Sequence, residues 1–215
     1  MTTKLTPREF HEAGVADWRV VGDGACAYFR TGSFPAGVGF VAAIGEAIDA
    51  GKYPDVDLRD EGVTLRLVTI GAGLWGLTDD DLALARRISE VAAEMGIPAD
   101  PSAVQTVQVT VAAHLPADVM PFWKAVLGYK DLGEEDLIDP HRRGAPFWFQ
   151  PLAESRRHRS RIHVDVFVPP DQGESRLAAA IAAGGQLRDD RGPAWWTLAD
   201  PVGNVVDLAT QDGRD

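Results

Sequence analysis

Apolar positions along the chain follow two periods, and the changes between them mark out its elements. Leu5-Thr6-Pro7-Arg8-Glu9 reads as a helix start, with Thr6 as N-cap and Pro7 at the first helical position. Trp18–Val21 and Ala25–Arg30 read as strands joined by a hairpin turn at Asp23-Gly24. From Phe34 to Ala50, the residues Val38, Val41, Ile44, Ala47 and Ile48 recur at helical spacing, and Gly51 closes the helix. Val63–Thr69 alternates with period two and is a strand. At Thr78 a second long helix begins, with Leu82, Ala85, Ile88, Val91 and Met95 as its apolar stripe. Thr78 caps it, and Asp79, Asp80 and Asp81 sit at the positive end of its dipole. The order is α-β-β-α-β-α, an α+β layer.

Gly96-Ile97-Pro98-Ala99-Asp100-Pro101-Ser102 ends that helix, since two prolines and a glycine cannot continue it. The expected division is a domain over 1–97, a linker over 98–103 and a second domain over 104–211. The second part repeats itself. Val107-Gln108-Val109-Thr110-Val111 is echoed by Ile162-His163-Val164-Asp165-Val166. Each strand leads into a helix, Ala117–Leu127 and then Gln172–Ala183, that stops at glycine. Short strands follow each helix, ending at Pro146–Gln150 and Asn204–Leu208. This predicts two βαβββ units in tandem.

The 215 residues carry a net charge of -11 and one cysteine, Cys26. An intramolecular disulfide is therefore excluded, and an acidic surface repels a phosphate backbone, so no nucleic-acid partner is expected. The basic run Arg156–Arg161 lacks interleaved aromatics and reads as a solvated connector, or else as a contact to an anionic ligand, the first domain or a second subunit. No stretch approaches the roughly 20 apolar residues of a membrane span, and the N-terminus has no apolar leader segment. A cytoplasmic protein without a membrane partner is the expectation.

The second half resembles the vicinal oxygen chelate superfamily, which includes glyoxalase I, extradiol dioxygenases and bleomycin-type resistance proteins. The residues that carry the likeness are the repeat, Phe149-Gln150-Pro151-Leu152, Arg161–Asp165, and the closing run Leu198–Leu208 with its Asp200-Pro201-Val202-Gly203-Asn204 turn. The resemblance implies a cup whose ligands come from four strands. By strand parity Gln108 shares a face with Thr110, and His163 shares one with Asp165. Gln108, Gln150, His163 and Asp207 fall at or near the ligand positions, a set that could hold a divalent metal through His163, Asp207 and Gln108. The other reading is a hydrogen-bonded polar floor with His163 satisfied. Trp148, Trp195 and Trp196 lie on strands of this half. Adjacent Trp195 and Trp196 must face opposite sides, one toward the helices and one into the cup. An aromatic-lined cup suits a planar small-molecule ligand.

The first half resembles pterin-4a-carbinolamine dehydratases through Leu5-Thr6, Trp18, Phe29, Phe40-Val41, Tyr53-Pro54-Asp55, Thr69, Gly76-Leu77-Thr78 and Asp81. The family's His-His-Pro run stands here as Lys52-Tyr53-Pro54, and its Thr-His as Thr69-Ile70. All three histidine positions hold other residues. Histidine moves protons near neutral pH, whereas phenols and alkylamines ordinarily titrate at about 10 and at pH 7 donate rather than accept. Lys52, Tyr53 and His163 are the catalytic candidates. Trp75, in the extra residues before Gly76, could stack on a flat ligand or pack over the helix start at Thr78. Three functions remain open: a ligand-binding or lyase/isomerase-type protein acting in the second domain's cup, a 4a-hydroxytetrahydrobiopterin dehydratase with substituted groups, and a drug-sequestering or regulatory binding protein. Both resemblances imply a homo-oligomer.

Overall fold

A computed structural model describes residues 4–48, 51–71, 74–152, 162–199 and 205–212. The chain forms two compact units, Met1–Gln105 with Gln211–Asp215, and Thr106–Thr210. The basic run Arg156–Arg161 and the turn Asp200–Asn204 lie outside the described residues. Among the described residues, no helix is long and apolar enough to cross a membrane.

The first unit runs β1 (Lys4–Leu5), α1 (Pro7–Glu12), β2 (Arg19–Val21), β3 (Gly24–Phe29), α2 (Phe34–Ala47), β4 (Asp55–Leu58), β5 (Val63–Leu67), β6 (Thr69–Gly71), β7 (Leu74–Thr78) and α3 (Asp79–Glu94). Its strands form two antiparallel sheets, ordered β2-β3-β5-β4 and β1-β7-β6. This is the α+β layer that the periodicity predicts, with further strands of two to five residues that are too short to leave a periodic trace. The predicted strand Val63–Thr69 breaks after Leu67. Val63, Leu65 and Leu67 are all buried. The chain then leaves that sheet, and Thr69 pairs with Gly76 in the other.

The core gathers Phe10, Trp18, Phe29, Phe40, Leu65 and Ile88, all fully buried. Burying each such side chain stabilises the fold by about 1.5–3 kcal/mol. Trp18 satisfies its indole N–H on Ser89 Oγ at 3.2 Å. Cys26 is sealed in the same unit, and burial pushes its thiol up to about 11. Residues 98–103, read from the sequence as a linker, lie along β3. The Arg30 amide donates to the Pro98 carbonyl at 2.9 Å, and the Asp100 amide donates to Tyr28 at 2.8 Å. Hydrogen bonds from Ser102 and Arg30 hold the Asp100 carboxyl below the usual carboxylate range.

The second unit runs β8 (Thr106–Ala113), α4 (Pro116–Leu127), β9 (Lys130–Leu132), β10 (Asp136–Ile138) and β11 (Phe147–Pro151). It continues with β12 (Ile162–Phe167), α5 (Gly173–Ala182), β13 (Gln186–Arg191), β14 (Trp195–Ala199) and β15 (Val205–Ala209). These are two βαβββ modules. They merge into one sheet ordered β13-β14-β15-β12-β8-β11-β10-β9, in which the first strands β8 and β12 meet antiparallel at the centre. Gly128, at φ 68°, ends α4 in the left-handed conformation that glycine tolerates. One face of the sheet packs on the helices. Val111, Leu137 and Phe149 meet Met120 of α4, while Trp196, Leu198 and Leu208 meet Leu177 of α5. Strand alternation turns the polar residues of the same strands to the opposite face.

Candidate functional site

Polar residues cluster in each unit, and the two clusters are built differently. In the first unit, β6 and β7 bring Thr69 and Thr78 beside the start of α3, where Asp81 sits fully buried. Asp81 Oδ2 accepts from the Thr69 hydroxyl at 2.7 Å and from both the amide and the hydroxyl of Thr78 at 2.9 Å. Asp81 Oδ1 accepts from the Lys52 ammonium, which also donates to Thr69 Oγ1. A carboxylate has about two acceptor positions on each oxygen; here three donors converge on Oδ2 and one reaches Oδ1. The Lys52 side chain is 30% exposed. Its ammonium is tied into this pair, and an ammonium has no lone pair with which to accept a proton.

Tyr53, the other catalytic candidate of this unit, is 56% exposed and takes no part in the network. Ile70 is at the surface with no group that can move a proton. Trp75 stands in a strand. It lies in β7 opposite Ile70, and its indole nitrogen is buried without a hydrogen-bond partner among the described residues.

In the second unit, strand register lines up four polar side chains on the face away from the helices. Gln108 of β8 pairs with Asp165 of β12, which pairs with Asp207 of β15, which pairs with Thr197 of β14. The neighbouring row holds Trp148, Thr110 and His163. His163 Nε2 lies 3.3 Å from Asp165 Oδ1 and 3.6 Å from Asp207 Oδ2. The three side chains offer ligand atoms that all lie within 4.8 Å of one another. His163 and Asp165 are buried, and the Asp207 side chain is 19% exposed. Thr110, fully buried, donates its hydroxyl to Asp165 Oδ2. Asp207 Oδ1 is buried and has no hydrogen-bond partner among the described residues.

The sequence-predicted residues fall into three groups. His163 and Asp207 come together, with Gln108 in register with Asp165 between them. The sequence reading left Asp165 out of the metal set, although the parity that placed it beside His163 was the signal that finds it. With Asp165 the cluster has two carboxylates and an imidazole, a stronger donor set for a divalent cation than amides supply. Trp148, Trp195 and Gln150 share the polar face. Trp148 lies level with Thr110, Trp195 one row to the other side of the carboxylates, and Gln150 farther along β11, level with Ala112. Trp196 is a correction, because it is 5% exposed and packed in the core under α5. A Cβ at Gly173 or Gly192 would meet its ring at 3.0 Å or closer, so both glycines are shaped around it.

Comparison with known proteins agrees with the two-unit division. A family profile described as pterin 4 alpha carbinolamine dehydratase matches residues 3–91. One described as glyoxalase-like domain matches residues 108–209. A Nocardia farcinica protein, provisionally named pterin-4-alpha-carbinolamine dehydratase, is 40% identical over 96 residues, covering 43% of this chain and 99% of its own length. A Roseiflexus sp. protein with the same provisional name is 36% identical over 94 residues, covering 42% of this chain and 99% of its own. A solved structure of a glyoxalase/bleomycin resistance protein/dioxygenase superfamily member from Vibrio splendidus 12B01 aligns with a TM-score of 0.33 at 14% identity, covering 50% of this chain and 99% of that one.

Proposed function

Since the chain belongs to the pterin 4 alpha carbinolamine dehydratase family through its first unit and joins to it a glyoxalase-like unit, we propose that the second unit carries the chemistry. In this reading the cup binds a small planar organic molecule beside a divalent cation held by His163, Asp165 and Asp207, and acts on it as a lyase or isomerase. The observation that carries the reading is Asp207 Oδ1. A buried carboxylate oxygen with no donor is costly, and it stands beside a second carboxylate and an imidazole. A divalent cation removes the repulsion between the two carboxylates and supplies the missing partner, so the donor set fits such an ion. A bound cation of this kind supplies Lewis-acid polarisation of a ligand carbonyl or enol oxygen. The chain's own residues bind and orient. Trp148 and Trp195 flank the polar row with flat apolar surface, and Gln108 and Thr197 offer neutral hydrogen bonds within it.

The test is metal binding by the purified full chain, read by calorimetry with Mn²⁺, Ni²⁺ and Zn²⁺. One ion per chain, lost on His163→Ala and on Asp207→Asn, supports the reading. No binding of any of the three ions by the folded protein sinks it. A planar compound bound without turnover in the metal-loaded protein turns the reading toward sequestration.

The dehydratase reading rests on family membership and on Lys52, whose ammonium reaches Thr69 in the first unit. It lacks a histidine to move the proton, because Lys52 is paired with Asp81 and Ile70 stands where the resemblance puts one. Loss of water from a 4a-hydroxytetrahydropterin is expected to run at its uncatalysed rate in the presence of this protein.

A further inference from the structure

We propose that the first unit binds the carboxylate or phosphate group of a small organic molecule between the ammonium groups of Lys4 and Lys52. This is a binding site, separate from the chemistry assigned to the second unit. Lys4 lies in β1 opposite Thr78 of β7. Its side chain runs over Gly76, since a Cβ there would meet Lys4 Cε at 2.6 Å and Nζ at 3.3 Å. Gly76 takes φ 146°, a conformation that favours glycine, and the missing Cβ leaves room for the lysine stem. Gly76 pairs with Thr69 of β6. Direct cross-strand partners share a face, with Cβ positions about 5 Å apart. On that face the Lys52 ammonium donates to Thr69 Oγ1. Two ammonium groups, from opposite ends of the unit's first 52 residues, therefore flank the Gly76–Thr69 pair.

Both lysines keep donors in hand. An ammonium has three N–H donors. Lys52 gives one to Asp81 and one to Thr69, and has no third partner among the described residues. Its side chain is 30% exposed. Lys4 is exposed and pairs with no carboxylate among the described residues. That sets it apart from Arg8, Arg30, Arg59, Arg87, Lys124 and Arg191, each of which has a carboxylate partner. Asp81 offsets the charge of Lys52, and Lys4 adds a positive charge that no ion pair offsets. On a chain of net charge -11, most of the surface repels an anion; this face does not.

The residue exchange at position 52 fits the same reading. The resemblance puts a histidine there, and histidine gains and loses a proton near neutral pH. Lysine instead holds an oxyanion as a point charge, through charge-assisted hydrogen bonds. The exchange removes proton transfer and leaves charge recognition.

The test is calorimetry of the full chain with phenyl phosphate and with benzoate, at an ionic strength of about 50 mM to limit screening. A chelator is present, so that no cation in the second unit can draw the anion. Saturable binding at one site is expected, and the two compounds separate a phosphate ligand from a carboxylate one. Lys4→Gln should weaken that binding by about tenfold, and Lys4→Arg should restore it. Lys52→Gln combined with Asp81→Asn removes one charge of each sign and should weaken binding by a similar factor, with circular dichroism as the folding control. If that double variant does not fold, Lys4→Gln and Lys4→Arg decide alone. Mn²⁺ binding by the second unit is unchanged in Lys4→Gln, so the two sites fail or stand separately. No saturable binding of either compound overturns the proposal, and so does binding that Lys4→Gln or the folded double variant leaves unchanged.

Discussion

The two units each bury a carboxylate among hydroxyl and nitrogen donors, yet only one of them is finished. Asp81 in the first unit has a donor on each oxygen, supplied by two threonines, a backbone amide and the Lys52 ammonium. Asp207 in the second keeps a buried oxygen with no partner among the described residues, beside Asp165 and His163. A cluster with donors on both carboxylate oxygens holds its elements together through interactions already made. An unsaturated one stores an unmet interaction that a bound cation can supply. The family likeness of the first unit therefore points to a fold, and the incomplete cluster of the second points to a site.

Replacing the two carboxylates breaks this comparison most directly. Asp81→Asn is expected to lower stability by about 3–5 kcal/mol, since it leaves the Lys52 charge unpaired. Asp207→Asn is expected to change metal-free stability by less than about 1 kcal/mol and to abolish the rise in melting temperature that a divalent cation produces. Urea unfolding and thermal melts with and without Mn²⁺ measure both. Equal destabilisation by the two would show that the second cluster is as structural as the first.

Cys26 sharpens the contrast from the sealed side. Burial pushes its folded thiol up to about 11 from its ordinary 9.0. Between these values the folded chain keeps the proton and the unfolded chain loses it. The unfolded state thus binds fewer protons, and stability falls as pH rises, by at most about 1.4 kcal/mol per pH unit. Cys26→Ala should flatten that slope in urea titrations over the same range, and an unchanged slope would assign it to other groups.

The smallest expected effect lies in the support of the open cluster. Thr110→Val keeps the shape of the side chain and removes its hydroxyl from Asp165. Mn²⁺ affinity should weaken by about tenfold, and Thr110→Ser should restore it. An unaltered affinity in Thr110→Val would mean that Asp165 needs no orientation to act.

Strand parity made part of the second site legible before folding. It put His163 and Asp165 on one face, Gln108 and Thr110 on another strand's equivalent face, and Trp195 and Trp196 on opposite sides. Parity says that neighbours differ, not which one is inside. α5 decided that for Trp196, with Gly173 and Gly192 leaving room for its ring. The Thr78–Asp81 cap was local and readable, whereas the lysine that completes it comes from 29 residues away. Nothing in a period of two or 3.6 residues encodes such a pairing.

By itself the sequence determined the α+β layer, the tandem βαβββ modules, the helix starts at Thr6 and Thr78, and the absence of histidine at Lys52, Tyr53 and Ile70. These follow from local propensities and short-range alternation, which act within a few residues. Only the tertiary structure decided that Lys52 closes on Asp81, and that Asp165 joins His163 and Asp207 while one oxygen of Asp207 has no partner among the described residues. Those outcomes depend on which strands become neighbours and in what register. Packing of the whole unit fixes that choice, because a one-residue slip would turn every polar side chain of β12 away from β15.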